Sequence, residues 1–68
     1  MIKVYSIPYC PMCDLLKEEL QDKEIPYESI MDKEILQNKG ITHVPVLEVE
    51  GQLLNTAEAL KWVKNYEN

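Results

Sequence analysis

Arginine is absent from this chain, and seven lysines stand against twelve acids for a formal net charge of −5. Phosphate contacts need clustered Lys and Arg, so nucleic-acid binding is not expected. The acidic balance favours solubility and repels anionic surfaces. Glycine is scarce, with two residues, while hydrophobic residues make up 46% of the chain. That composition is globular and excludes disordered and fibrous classes. No apolar run approaches the ~20 residues of a membrane span. The opening Met1-Ile2-Lys3-Val4-Tyr5 lacks the long apolar core of a signal peptide. A cytoplasmic protein with no membrane contact is the resulting expectation.

The 68 residues form one domain, 1–68. A domain this small buries only about 60% of the surface its unfolded chain exposes. Compact-chain scaling gives a radius of gyration of roughly 11 Å. A deep private pocket does not fit in that volume. Chemistry must lie at the surface, and the partner or substrate must supply part of the pocket. A monomer is expected.

Cysteine is also sparse: Cys10 and Cys13 are the only two. A disulfide across so short a loop constrains little of the unfolded chain and is a poor staple. In a cytosolic chain such a pair reads as redox or metal chemistry. A closed zinc site needs four ligands. This chain offers Cys10, Cys13 and one histidine, so a carboxylate would have to complete it.

Hydrophobic periodicity gives seven elements in the order βαβαββα. Residues 2–6 predict a strand and Pro11 to about Asp22 a helix, with Met12, Leu15, Leu16 and Leu20 at helical spacing. Residues 27–30 predict the second strand. Asp32 to Asn38 is a short helix, with Asp32 as N-cap and Gly40 as its stop. Val44 to Val49 is a strand with Pro45 near its start, and Glu50-Gly51 turns it into a strand over Gln52 to Leu54. Asn55 and Glu58 resemble a capping box, opening a last helix that turns Leu60, Val63, Trp62 and Tyr66 toward the core. The first three elements suit a parallel βαβ unit, and the tight turn makes the last pair antiparallel. A four-stranded mixed sheet flanked by three helices follows.

The stretch Cys10-Pro11-Met12-Cys13 sits directly after a strand and opens a helix. Cys10 falls near the N-cap, and Pro11 suits the first helical position. Unpaired N–H groups of the first turn and the helix dipole favour a thiolate there. Cys13 lies three residues on, on the same face, so the pair can open and close a disulfide. A second feature is Thr42-His43-Val44-Pro45. A proline inside a strand pattern needs a reason, and a cis peptide is one. A cis Val44-Pro45 bond beside the cysteines would leave the Val44 backbone to pair with an extended substrate.

Tyr5-Ser6-x-Pro8-x-Cys10-Pro11-x-Cys13, followed by Val44-Pro45 and a hairpin at Gly51, resembles a glutaredoxin-like member of the thioredoxin superfamily over nearly the whole chain. The resemblance implies an α/β, thioredoxin-like fold of the glutaredoxin type with strand order 2-1-3-4. It implies a dithiol–disulfide oxidoreductase that reduces protein or glutathione-mixed disulfides. Cys10 would be the exposed nucleophile, Cys13 the buried resolving thiol and Pro45 the cis-proline of the substrate groove. Tyr9, Pro11, Met12, His43 and Val44 would line that groove, and Asn55 and Thr56 would offer an anion site at the last helix. Partners would be a disulfide-bearing client protein and a reductant, glutathione or thioredoxin reductase, with no tightly bound cofactor.

Three departures bear on the reductant. Ile7 stands where the family usually has Lys or Arg, and His43 where it usually has Thr or Ser. Leu54-Asn55-Thr56 stands where many members have a Gly-Gly pair that receives a glutathione carboxylate. The glutathione site therefore looks weakened, with Gln37 and Lys39 as remaining candidates for a carboxylate contact. A protonated His43 beside the sulfurs would replace the missing positive charge. The alternatives are an iron–sulfur or metal-binding module using the same thiols, and a redox-inert binding domain. Pro11 differs from the small-residue motifs that usually favour a shared cluster.

Overall fold

The first strand, β1 (Ile2–Tyr5), is the interior strand on which the sheet is built. It pairs in parallel with β2 (Glu28–Ile30) and antiparallel with β3 (Val46–Val49), and β3 pairs antiparallel with the edge strand β4 (Gln52–Leu54). The order β2-β1-β3-β4 is the expected one. Between the strands run α1 (Pro11–Asp22) and α2 (Lys33–Asn38), and α3 (Thr56–Lys64) closes the chain. This computed structural model describes residues 1–66. Its radius of gyration, 11.0 Å, is that of a close-packed chain of this length. No helix among the described residues is long and apolar enough to cross a membrane.

Strand alternation sorts the core onto the two faces of the sheet. Val4 and Leu47, opposite each other, pack with Leu16 and Leu20 of α1 and with Ala59 and Val63 of α3. Tyr5 and Val46, the next pair along, pack on the other face with Leu36 of α2. Leu60, Trp62 and Tyr66 border the first cluster half-buried. Trp62 and Tyr66 contact each other at 5.2 Å between ring centres, and Tyr66 lies just beyond the helix.

The buried stripe of α1 is Cys13, Leu16 and Leu20. Met12 and Leu15, read from the sequence as part of that stripe, are exposed instead. A single row at i, i+3, i+7 fills the space over β1 and β3, and the neighbouring apolar row faces outward. The third strand begins at Val46 rather than Val44. Pro45 has no N–H for a ladder bond, and pairing with β1 starts one residue after it. The first two strands are likewise each one residue shorter than expected, at Ile2–Tyr5 and Glu28–Ile30.

Both α1 and α2 stop by the same device. After α1, Glu24 and Ile25 donate to Gln21 O and Leu20 O. After α2, Gly40 and Ile41 donate to Gln37 O and Leu36 O. These are Schellman motifs, which need a left-handed residue just past the cap. Gly40 fills that place at φ +71, and Glu24 fills it at φ +57. The Glu50-Gly51 turn carries positive φ at both positions, the geometry of a two-residue hairpin loop.

Candidate active site

Cys10 is the N-cap of α1 and Pro11 its first helical residue, as expected. Cys10 and Cys13 are joined as a disulfide, with 5.2 Å between their Cα atoms. The main-chain N–H of Cys13 donates to Cys10 Sγ at 3.1 Å. Cys10 is half-buried and Cys13 only 1% exposed, so the two sulfurs differ in access. That asymmetry is what an attacking and a resolving thiol require. Helix-start donors and the dipole also favour negative charge on the outer sulfur once the bond is open.

The loop leading to Cys10 begins at Ser6, fully buried, whose N–H donates to Ile30 O at 2.9 Å. It then turns outward. Ile7 is 41% exposed and Tyr9 wholly exposed, the latter in the left-handed region at φ +60. With Pro11 and Met12, both exposed, Tyr9 forms an apolar rim around Cys10.

Val44-Pro45 is cis. The register places Val46 opposite Tyr5, so Pro45 lies at the end of the central strand pair from which the Cys10 loop departs. Val44 turns its side chain into the cluster of Tyr5, Leu36 and Val46. His43, Pro45, Asn55 and Thr56 share a groove of about 510 Å³. Neither cysteine lines it, nor do Tyr9, Pro11, Met12 and Val44. Apart from Val44, the sequence-selected residues thus fall into two sets, a rim around the sulfurs and a groove beside Pro45.

Asn55 caps α3 through a complete capping box. Its Oδ1 accepts the Glu58 N–H at 2.9 Å, and its own N–H donates to Glu58 Oε1 at 3.1 Å. The Thr56 hydroxyl donates to the Pro45 carbonyl at 3.1 Å. Two of the donors counted for an anion at this helix end, the Asn55 N–H and the Thr56 hydroxyl, are therefore used within the chain. The groove also contains residues that the sequence reading did not select: Ile41, Val46, Leu53, Leu54, Ala57 and Glu58. Most are ordinary apolar residues whose sequence carries no sign of a groove. Glu58 was visible only as half of a cap.

Lys39, read as a candidate carboxylate contact, is engaged elsewhere. Its Nζ lies 3.3 Å from Glu48 Oε1 and 5.6 Å from the centre of the Tyr5 ring. The Tyr5 hydroxyl donates to the same Glu48 oxygen at 2.7 Å. The Tyr5 hydrogen bond, with Lys39 adding to it, holds the Glu48 carboxyl below its ordinary range. Burial, then the Glu48 contact, pushes the Tyr5 phenol up. The Glu48 hydrogen bond raises Lys39. Gln37 is exposed. Among the described residues, no three His, Cys, Asp or Glu side chains converge where they could hold a metal ion.

Residues 2–54 match the glutaredoxin family model. A glutaredoxin-like 8.6 kDa protein of uncharacterised function, from the rubredoxin operon of Clostridium pasteurianum, is 31% identical over 74 aligned positions. The alignment covers 94% of this chain and 99% of that relative. Among solved structures, a mutant form of the thioredoxin-like protein BC3987 superposes with a TM-score of 0.75 at 26% identity. The match covers 96% of this chain and all of that one. The trimeric glutathione transferase TDR1 of Leishmania reaches the same TM-score at 20% identity, across 96% of this chain and 17% of the transferase. At that identity the likeness is one of fold.

Proposed function

The chain belongs to the glutaredoxin family, and from that premise we propose that it is a small thiol–disulfide oxidoreductase working through the Cys10–Cys13 dithiol. The observation that carries this reading is the asymmetric pair at the start of α1: a half-buried N-cap sulfur bonded to a buried one.

The cycle follows from thiolate chemistry. The Cys10 thiolate attacks one sulfur of a substrate disulfide. That S–S bond breaks, a mixed disulfide forms, and the first substrate thiolate leaves and takes up a proton. Cys13, deprotonated, then attacks the Cys10 sulfur. The internal disulfide forms, and the second substrate thiolate leaves and is protonated. Two electrons have passed from the protein dithiol to the substrate. An external thiol reductant, glutathione or the dithiol of a thioredoxin reductase, returns them and regenerates the pair. The internal disulfide is the product of the reductive half. The rim of Tyr9, Pro11 and Met12 meets the substrate around the attacked bond, and the Val44-Pro45 turn aligns its chain.

Coupled NADPH oxidation with a small disulfide tests this. One arm supplies glutathione and glutathione reductase, the other thioredoxin reductase. Turnover in either arm that is abolished by Cys10→Ser is the expected result. Turnover with glutathione that survives Cys13→Ser identifies a monothiol route. Turnover only with thioredoxin reductase, needing both cysteines, identifies a dithiol carrier. No turnover in either arm, or turnover indifferent to Cys10→Ser, overturns the reading.

A further inference from the structure

The groove beside Pro45 has an apolar floor and a single fixed acid. Ile41, Pro45, Val46, Leu53, Leu54 and Ala57 supply the apolar lining. Its ionisable lining side chains are Glu58 and His43. No lysine reaches it. Glu58 is held in place by the Asn55 N–H and makes no ion pair among the described residues. The capping box thus serves the helix and also presents a carboxylate without an ion-pair partner at one wall of the groove, with Lys61 beside it in the neighbouring depression rather than in the groove.

The surroundings have the same sign. The segments that frame the site, residues 4–16, 40–48 and 53–60, contain no lysine or arginine and carry Asp14, Glu48 and Glu58, and Lys61 follows one turn after Glu58 on α3. Glu48 is neutralised by Lys39. Asp14 lies exposed in the first turn of α1, beside the disulfide. At the same end of the sheet, in the segment that follows β1, Ile7, Tyr9 and Met12 expose apolar surface. A small molecule in the groove would leave that rim uncovered, whereas a polypeptide would cover both.

We propose that this groove and rim dock a positively charged polypeptide segment flanking the target disulfide, and that Glu58 is the residue that selects it over an anionic one. The inference rests on the oxidoreductase reading above and adds the class of partner. Apolar contacts with Leu53, Leu54 and the rim supply contact area, and the carboxylate sets the sign. Complementary charge acts chiefly on partner choice and association rate.

Two synthetic peptides of equal length test it, each carrying one disulfide, one flanked by lysines and the other by glutamates. The second-order rate of their reduction by the dithiol form of the protein is measured at low and high salt. Dithiothreitol serves as the reference that removes intrinsic differences between the peptides. The lysine peptide is expected to react faster, and salt is expected to close the gap. Glu58→Gln keeps a side-chain acceptor for the Asn55 N–H, as capping boxes accept Glu or Gln, and removes the charge. It is expected to shrink the lysine-over-glutamate ratio by about twofold to fivefold, the range of one exposed charge pair. Because the ratio is taken within each protein, a general change in reactivity cancels.

A ratio near one in the wild type, or one that Glu58→Gln leaves unchanged, overturns the proposal while leaving the redox reading intact. Failure to reduce even uncharged hydroxyethyl disulfide overturns both.

Discussion

The amide of Cys13 donates to the sulfur of Cys10 across 3.1 Å, so the buried cysteine's main chain holds the half-buried cysteine's side chain at the start of α1. The two positions are therefore unequal. Cys10→Ser is expected to abolish reaction with any disulfide. Cys13→Ser keeps the amide and the cap and loses only the resolving thiol. Incubated with a disulfide-bearing protein, Cys13→Ser is expected to accumulate a covalent adduct, visible by non-reducing electrophoresis and mass. Adduct forming on Cys10→Ser instead would reverse the two roles.

His43 lines the groove that Pro45 shares and stands on the segment leading into the cis bond. Ile7 leaves the motif without a lysine. Alkylation of reduced Cys10 by iodoacetamide is expected to be slower in His43→Ala than in the wild type. Equal rates would remove His43 from thiolate support.

The order of elements, the strand order, the N-cap cysteine and the capping box were all legible in the sequence, because each depends on a local rule. Pro11 after Cys10, Gly40 after α2 and Glu58 three residues after Asn55 are such local signals. The failures arose where tertiary packing chose between equivalent local patterns. Met12 and Leu15 fit the helical period as well as Leu16 does, but only one row faces the sheet. Lys39 looked free because its partner, Glu48, lies nine residues away on an interior strand where an acid was not expected. The groove was invisible because β4, the 40–46 segment and the start of α3 meet only in three dimensions.

The two helix stops offer a matched pair. Glu24 and Gly40 occupy the same place in the same motif, at φ +57 and +71. A left-handed conformation costs a side-chain-bearing residue roughly 1–2 kcal/mol, offset in part by the extra freedom glycine has when unfolded. Glu24→Gly is expected to raise stability by up to about 1 kcal/mol. Gly40→Ala is expected to lower it by about 1 kcal/mol through backbone strain alone, since a Cβ there meets nothing within 4 Å. Thermal melts check both, because 1 kcal/mol moves the midpoint of so small a domain by about 4–8 °C. Shifts of the same sign would show that the two stops are not equivalent.

The Tyr5–Glu48–Lys39 cluster sets how the fold depends on pH. Glu48 is held below its ordinary 4.5, mainly by the Tyr5 hydroxyl. A carboxyl whose folded value is depressed binds fewer protons folded than unfolded. Its contribution is present above the unfolded value and is lost as pH falls through the folded one. Tyr5, raised above 10.0 by burial and then by Glu48, acts in the opposite direction. Its contribution is complete below 10.0 and disappears as pH rises through the folded value. The cluster therefore stabilises the fold across the neutral range and weakens at both ends. Tyr5→Phe removes the donor that contributes most to holding Glu48 down. It is expected to cost about 1–2 kcal/mol at neutral pH, as for a hydrogen bond to a charged group. It should also flatten the acid limb, because Glu48 then titrates nearer its unfolded value. Urea melts of wild type and variant from pH 3 to 8 give both numbers. A difference in stability that stays constant down to the acid end would show that Glu48 keeps its depressed value without Tyr5, leaving Lys39 as the group that holds it.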